Sequence, residues 1–132
     1  MAKEGRSQPS SVPNPFAHGA MVVVTLGNPR DKFWGKILSL AAEGVSMSGI
    51  ELASFEDFVL MVKDGEPFSP AVVFFPMHRI ERIELDLADG TLPSLSQRFT
   101  SKTGLDAADA FRSPAGDGRR AKAAMAAAEG AE

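Results

Sequence analysis

Few residues in this chain have the types and spacing to do chemistry. Among its 132 residues there is no cysteine, and the only histidines are His18 and His78. Disulfides and thiolate nucleophiles are therefore excluded. A zinc site would lack its thiolates, and the two histidines do not stand as a ligand pair. The densest polar run is His78-Arg79-Ile80-Glu81-Arg82-Ile83-Glu84. An imidazole beside two guanidiniums could move a proton or grip an anion. The same arginines, interleaved with Glu81 and Glu84, also make a self-compensated, solvated strand face. Serines are plentiful, but none sits in a Gly-x-Ser-x-Gly elbow. No Walker or dinucleotide glycine pattern occurs. The expectation is a chain with no catalytic residue, no cofactor and no metal; an enzyme centred on His78 is the least supported reading. The candidate interaction residues are His78, Arg79, Arg82 and Lys36 for a charged ligand, and Trp34 and Phe74 for an apolar one.

Charge narrows the partner. Between Ala20 and Pro93 there are six bases and eleven acids, a net −5, and the whole chain is −3. Binders of duplex nucleic acid usually present a basic face, so an acidic core disfavours that partner without forbidding a local basic patch. No run approaches the ~20 apolar residues of a membrane span, and no apolar leader opens the chain. These features point to a cytoplasmic protein.

The elements that must position these residues follow from periodicity. Residues 1–19 are rich in Ser, Pro, Asn and Gly, and residues 112–132 in Ala, Gly, Arg and Glu. Neither stretch has a hydrophobic period, so both read as disordered ends around one domain at 20–111. Met21 to Leu26 is a β-branched strand, followed by the turn cluster Gly27 to Asp31. Phe33 to Leu40 alternates and should close a hairpin with it. Glu43-Gly44 turns into a third strand, where apolar parity switches after Gly49, a pattern that predicts a bulge there. The period then changes. Phe55, Phe58, Val59 and Val62 fall on one helical face, with Ser54 as the expected N-cap and Gly65 as the stop. Ala71 to Phe75 is continuously apolar, which predicts a strand covered on both faces. A tight turn at Met77 to Arg79 leads to a strand from Ile80 to Leu87. Ser94 and Gln97 have capping-box spacing before a short helix from Leu95 to Lys102, and Asp106 to Phe111 adds a further turn.

The expected order is β-β-β-α-β-β-α, a mainly β (α+β) fold with a small, strongly bent sheet or a partly open barrel. The strand lengths, the meander and the Pro76-x-x-x-Ile80-x-x-Ile83 pattern resemble the small SH3- or Sm-like barrels. In those a single tight turn precedes the closing strand, as Phe75 to Ile80 reads here. The resemblance spans about Met21 to Leu87 and departs in one respect: the helix precedes the fourth strand, whereas Sm proteins place theirs first. It implies nucleic-acid binding through Lys36, Arg79 and Arg82. The string Pro76-Met77-His78-Arg79-Ile80 is also similar to a Pro-x-His-Arg-Ile string in a small domain proposed to recognise RNA ends. Ser39 to Gly44 sits where PilZ domains carry Asp/Asn-x-Ser-x-x-Gly. It lacks the motif's first and third residues, and upstream of it stand only Arg6 and Arg30, so cyclic-dinucleotide binding has no residues to carry it.

Apolar side chains pose the remaining question. Phe33 and Trp34 are adjacent on one strand, and Phe74 and Phe75 on another, so one of each pair must leave the sheet interior. Helices of the same chain could cover the outer one, or a second copy could. The leading expectation is a non-catalytic protein-interaction or regulatory module that forms a homodimer with Trp34 or Phe74 at or near the contact. The alternative is an Sm-like RNA or single-stranded nucleic-acid binder. The basic, Ala-rich tail from Arg112 has the composition of a solvated linker, or of a helix that orders on a partner.

Overall fold

The computed structural model describes residues 14–111. Five strands form one antiparallel sheet: β1 (Met21–Leu26), β2 (Asp31–Ala41), β3 (Gly44–Glu51), β4 (Ala71–Pro76) and β5 (Ile80–Leu85). Their order across the sheet is β4-β3-β2-β1-β5. β4 and β5 are the two edges and do not pair with each other, so the sheet bends without closing into a barrel. A 3₁₀ turn over Met77–Arg79 carries the chain from one edge to the other. Helix α1 (Phe55–Lys63) links β3 to β4, while α2 (Leu95–Thr103) and α3 (Ala107–Ala110) follow β5. The fold is mainly β with small helices, in the expected order.

Strand alternation splits the apolar residues into two cores. Val22, Val24, Leu26, Phe33, Ile37, Val45 and Met47 fill the concave side, with Val73 and Phe75 from β4 and Ile83 and Leu85 from β5 packed against them. Across this space Phe33 and Phe75 meet edge to face, with ring centroids 5.2 Å apart. Trp34 leads the convex side, where Phe55, Phe58, Val59 and Val62 of α1, Phe99 of α2 and Phe111 cover it. Arg98 of α2 adds a 2.6 Å bond to Glu56 of α1 and lies 4.8 Å from the centroid of Phe55.

Two opposed glycines let β2 and β3 approach closely. Gly35 and Gly49 pair across β2 and β3. A Cβ on Gly35 would overlap the carbonyl oxygen of Ser48, and one on Gly49 that of Trp34. Gly49 is thus a regularly paired residue rather than the expected bulge. Ile50 is apolar because it faces the convex core with the helices, so a second covered face, not a slip of register, accounts for the parity switch. The irregularity in this hairpin lies instead in β2, between Ile37 and Ser39.

Other expectations change in detail. Ser54 makes no side-chain cap, because a 3₁₀ turn over Leu52–Ser54 winds directly into α1 and Phe55 N–H donates to Leu52 C=O. At α2 both halves of the capping box form: Ser94 Oγ accepts from Gln97 N–H at 3.0 Å, and Gln97 Oε1 accepts from Ser94 N–H at 2.8 Å. Residues 14–19, expected in the leader, are largely exposed but touch the sheet at two points. Phe16 lies against the concave core, Gly19 N–H donates to Ile37 C=O at 2.8 Å, and Ile37 N–H donates to Ala20 C=O at 2.9 Å. The expected tail from Arg112 lies outside the described residues.

Candidate interaction surface

The basic residues singled out in the sequence do not converge on one patch. Arg79 serves the chain itself. Its Nε donates to Gly27 C=O at 2.8 Å and its Nη2 to Pro29 C=O at 3.3 Å, while Gly27 N–H donates back to Arg79 C=O at 2.8 Å. The guanidinium fork therefore clamps the β1–β2 turn, where Asn28 adopts a φ of 54°. Lys36 Nζ donates to Ala108 C=O at 2.9 Å and ties α3 to β2. Arg82 is exposed and stands 3.5 Å from Glu84. Lys36 and Arg82 flank opposite ends of β1, opposite Met21 and Thr25 respectively. His78 is exposed in an open polar depression with Gly27, Asn28, Arg79 and Glu81. Only His78 and Arg79 are brought together, and Arg79 is already engaged. Among the described residues no group of three or more His, Asp or Glu is placed to hold a metal.

Trp34, expected at or near a contact between copies, is fully buried within the chain. Its ring meets Phe55 at 5.2 Å and Phe111 at 4.9 Å, both edge to face, and Phe99 at 6.1 Å. Its Nε1 donates to Asp86 Oδ2 at 3.0 Å. The same carboxylate accepts from Leu95 N–H and Ser96 N–H, each at 2.8 Å, and from Ser96 Oγ at 2.6 Å. Asp86 had no motif to mark it. In the sequence it is one more acid at the end of a charged strand.

Phe74 has the opposite fate: it remains 54% exposed, as does Val72. The helices sit over β1 and β2 and leave the convex face of β4 open. The continuous apolar run of this strand therefore does not mean coverage on both faces. Its concave residues Val73 and Phe75 join the core, while Val72 and Phe74 face outward.

The backbone of β4 sharpens this. Met77 N–H donates to Glu43 C=O at 2.8 Å, in the same register that pairs Pro76 with Gly44 and Ala71 with Gly49. Antiparallel bonding alternates along a strand. The amides and carbonyls of Ala71, Val73 and Phe75 thus face β3, and those of Val72 and Phe74 face away from the sheet. No backbone partner for the outward pair exists among the described residues. On this parity, positions 70, 72, 74 and 76 read Pro, Val, Phe, Pro. The prolines have no N–H to offer, so a short donor-bearing window lies between two donor-free ends.

The other edge is built differently. β5 carries Glu81, Arg82 and Glu84 along its length, the charged dressing by which sheet edges resist pairing. β4 and its flanks have no charged or titratable residue from Pro67 to Met77. Near β5, an apolar groove formed by Phe16, Leu40, Met77, Ile80 and Ile83 is rimmed by Glu81 and Arg82.

No family model, curated protein or solved structure matches this chain.

Proposed function

We propose that this chain is a non-catalytic protein-interaction module that takes its partner by strand addition at β4. The observation that carries this reading is the outward pair Val72 and Phe74, whose backbone groups have no backbone partner among the described residues and whose apolar side chains are half exposed. Main-chain bonds to such an edge supply affinity, and alternate side chains supply selectivity. The nucleic-acid reading loses support where Arg79 and Lys36 bond carbonyls of their own chain. An SH3- or Sm-like identity is part of the proposal. The strand order, with β4 and β5 at the edges and a 3₁₀ turn between them, supports it. The module is proposed to act in the cytoplasm, in keeping with the absence of cysteine. Among the described residues no helix is long and apolar enough to cross a membrane.

The test is capture of binding proteins from the native cell with the wild-type chain, Val72→Pro and Phe74→Lys. Val72→Pro deletes an outward N–H and no internal ladder bond; Phe74→Lys places a charge on the open face. Partners lost from both variants support strand addition at β4. Partners retained by both overturn it.

A further inference from the structure

We infer that the strand added at β4 is β4 of a second copy of this chain, paired antiparallel about a two-fold axis through Val73. The inference rests on the strand-addition reading above and goes further by naming the occupant. A symmetric pair requires an edge that is complementary to itself, and β4 meets that condition in three ways.

First, the donor pattern is self-complementary. With the axis at Val73, Val72 of one copy faces Phe74 of the other, and both outward amides of each copy meet outward carbonyls. The same register sets Pro70 opposite Pro76. Those are the positions with no N–H, so no amide is orphaned at the ends of the added pair. A shift of register would set a proline opposite Val72 or Phe74 and leave outward amide or carbonyl groups unmatched. Second, the edge is uncharged from Pro67 to Met77. A two-fold axis brings each residue near its own twin, so a charged edge such as β5 would set like charges close together, at a cost. Third, the exposed side chains match. Val72 of one copy would lie beside Phe74 of the other on the convex face, covering the two side chains that the helices leave half exposed. On the concave face the two Val73 residues would form a directly opposed pair without hydrogen bonds, where Cα atoms stand about 4.5 Å apart.

That last relationship provides a test specific to the register. The chain has no cysteine, so Val73→Cys introduces the only thiol. Its Cα separation across the axis falls within the range a disulfide spans, about 4.4–6.8 Å. Oxidation of Val73→Cys should give a covalent dimer, while Leu60→Cys, on the exposed side of α1, should not. Light scattering across a concentration series should show the wild-type mass rising toward two chains, and Phe74→Lys should hold it at one. Trp34 fluorescence verifies that each variant keeps its fold. A wild-type chain that stays at one mass up to its solubility limit overturns the inference. So does a dimer that survives Phe74→Lys with no cross-link at Val73→Cys. If the chain is monomeric yet captured partners still depend on Val72 and Phe74, the second copy is ruled out while strand addition stands. If capture is also indifferent to both, strand addition falls too.

Discussion

Trp34 on β2 and Asp86 just beyond β5 are joined by a 3.0 Å hydrogen bond across 52 residues of sequence. Asp86 also holds the first amides of α2, Leu95 N–H and Ser96 N–H. One carboxylate thus couples the central buried side chain of the convex core to the helix that covers it. The indole needs an acceptor once buried, the helix start needs an anion, and Asp86 meets both needs.

Asp86→Ala should therefore destabilise the chain by roughly 2–4 kcal/mol, since hydrogen bonds to a charged group contribute about 1.5–3 kcal/mol each and are not additive. Asp86→Asn keeps one acceptor oxygen and should lose less. Urea denaturation followed by Trp34 fluorescence measures both. Equal stability of Asp86→Ala and wild type would show that the helix start is held by other groups.

The two serines at helix starts should behave differently. Ser94→Ala breaks the capping box at α2 and should cost about 1 kcal/mol. Ser54 makes no side-chain bond at α1, so Ser54→Ala should change the melting curve little. Thermal melts of the two variants side by side decide the matter, and the reverse ranking would contradict the geometry.

Much of the fold was legible because its signals are local. The β-branched run at Met21, the i, i+3, i+4, i+7 face of α1 and the Ser94-x-x-Gln97 spacing each depend on neighbours within a turn or two. What was not legible depends on coverage from afar. Trp34 and Phe74 have the same claim to an interface in the sequence. They separate only because α1, α2 and Phe111 pack over β2 and not over β4. Gly49 suggested a bulge because the sequence does not reveal that Ile50, beyond it, faces a second covered core. Lys36 and Arg79 looked like ligands for an anion because their carbonyl partners lie 72 and 52 residues away. Asp86 passed unnoticed for the same reason.

The glycine crossing makes its own prediction. Gly49→Ala would drive a methyl group into the Trp34 carbonyl, and Gly35→Ala into that of Ser48. Backbone atoms cannot rotate aside as a flexible side chain would. Each variant should lose at least about 1–3 kcal/mol, the usual range for overpacking. Denaturant midpoints that match wild type for both alanine variants would mean the strands can part at this crossing.

Phe111 and Phe74 give the sharpest contrast between core and edge. Phe111 is fully buried, 4.9 Å from the Trp34 ring and stacked with Phe58 at 5.5 Å. Phe111→Ala removes an aromatic ring from a packed cluster and should destabilise by about 3–5 kcal/mol; Phe58→Ala, on α1 in the same cluster, should fall in that range too. Phe74 is more than half exposed at 54%, and the residues behind it on β3 are Ser46 and Gly44 rather than a core. Phe74→Ala in dilute solution should therefore shift stability by no more than about 1 kcal/mol, the scale of a cross-strand contact. Its effect should grow with protein concentration if β4 is a contact, because only then does the ring become buried by a partner. Chemical denaturation of both variants at low and high protein concentration separates these roles. A large loss for Phe74→Ala at low concentration would place its ring within the core of a single chain, and β4 would no longer be a free edge.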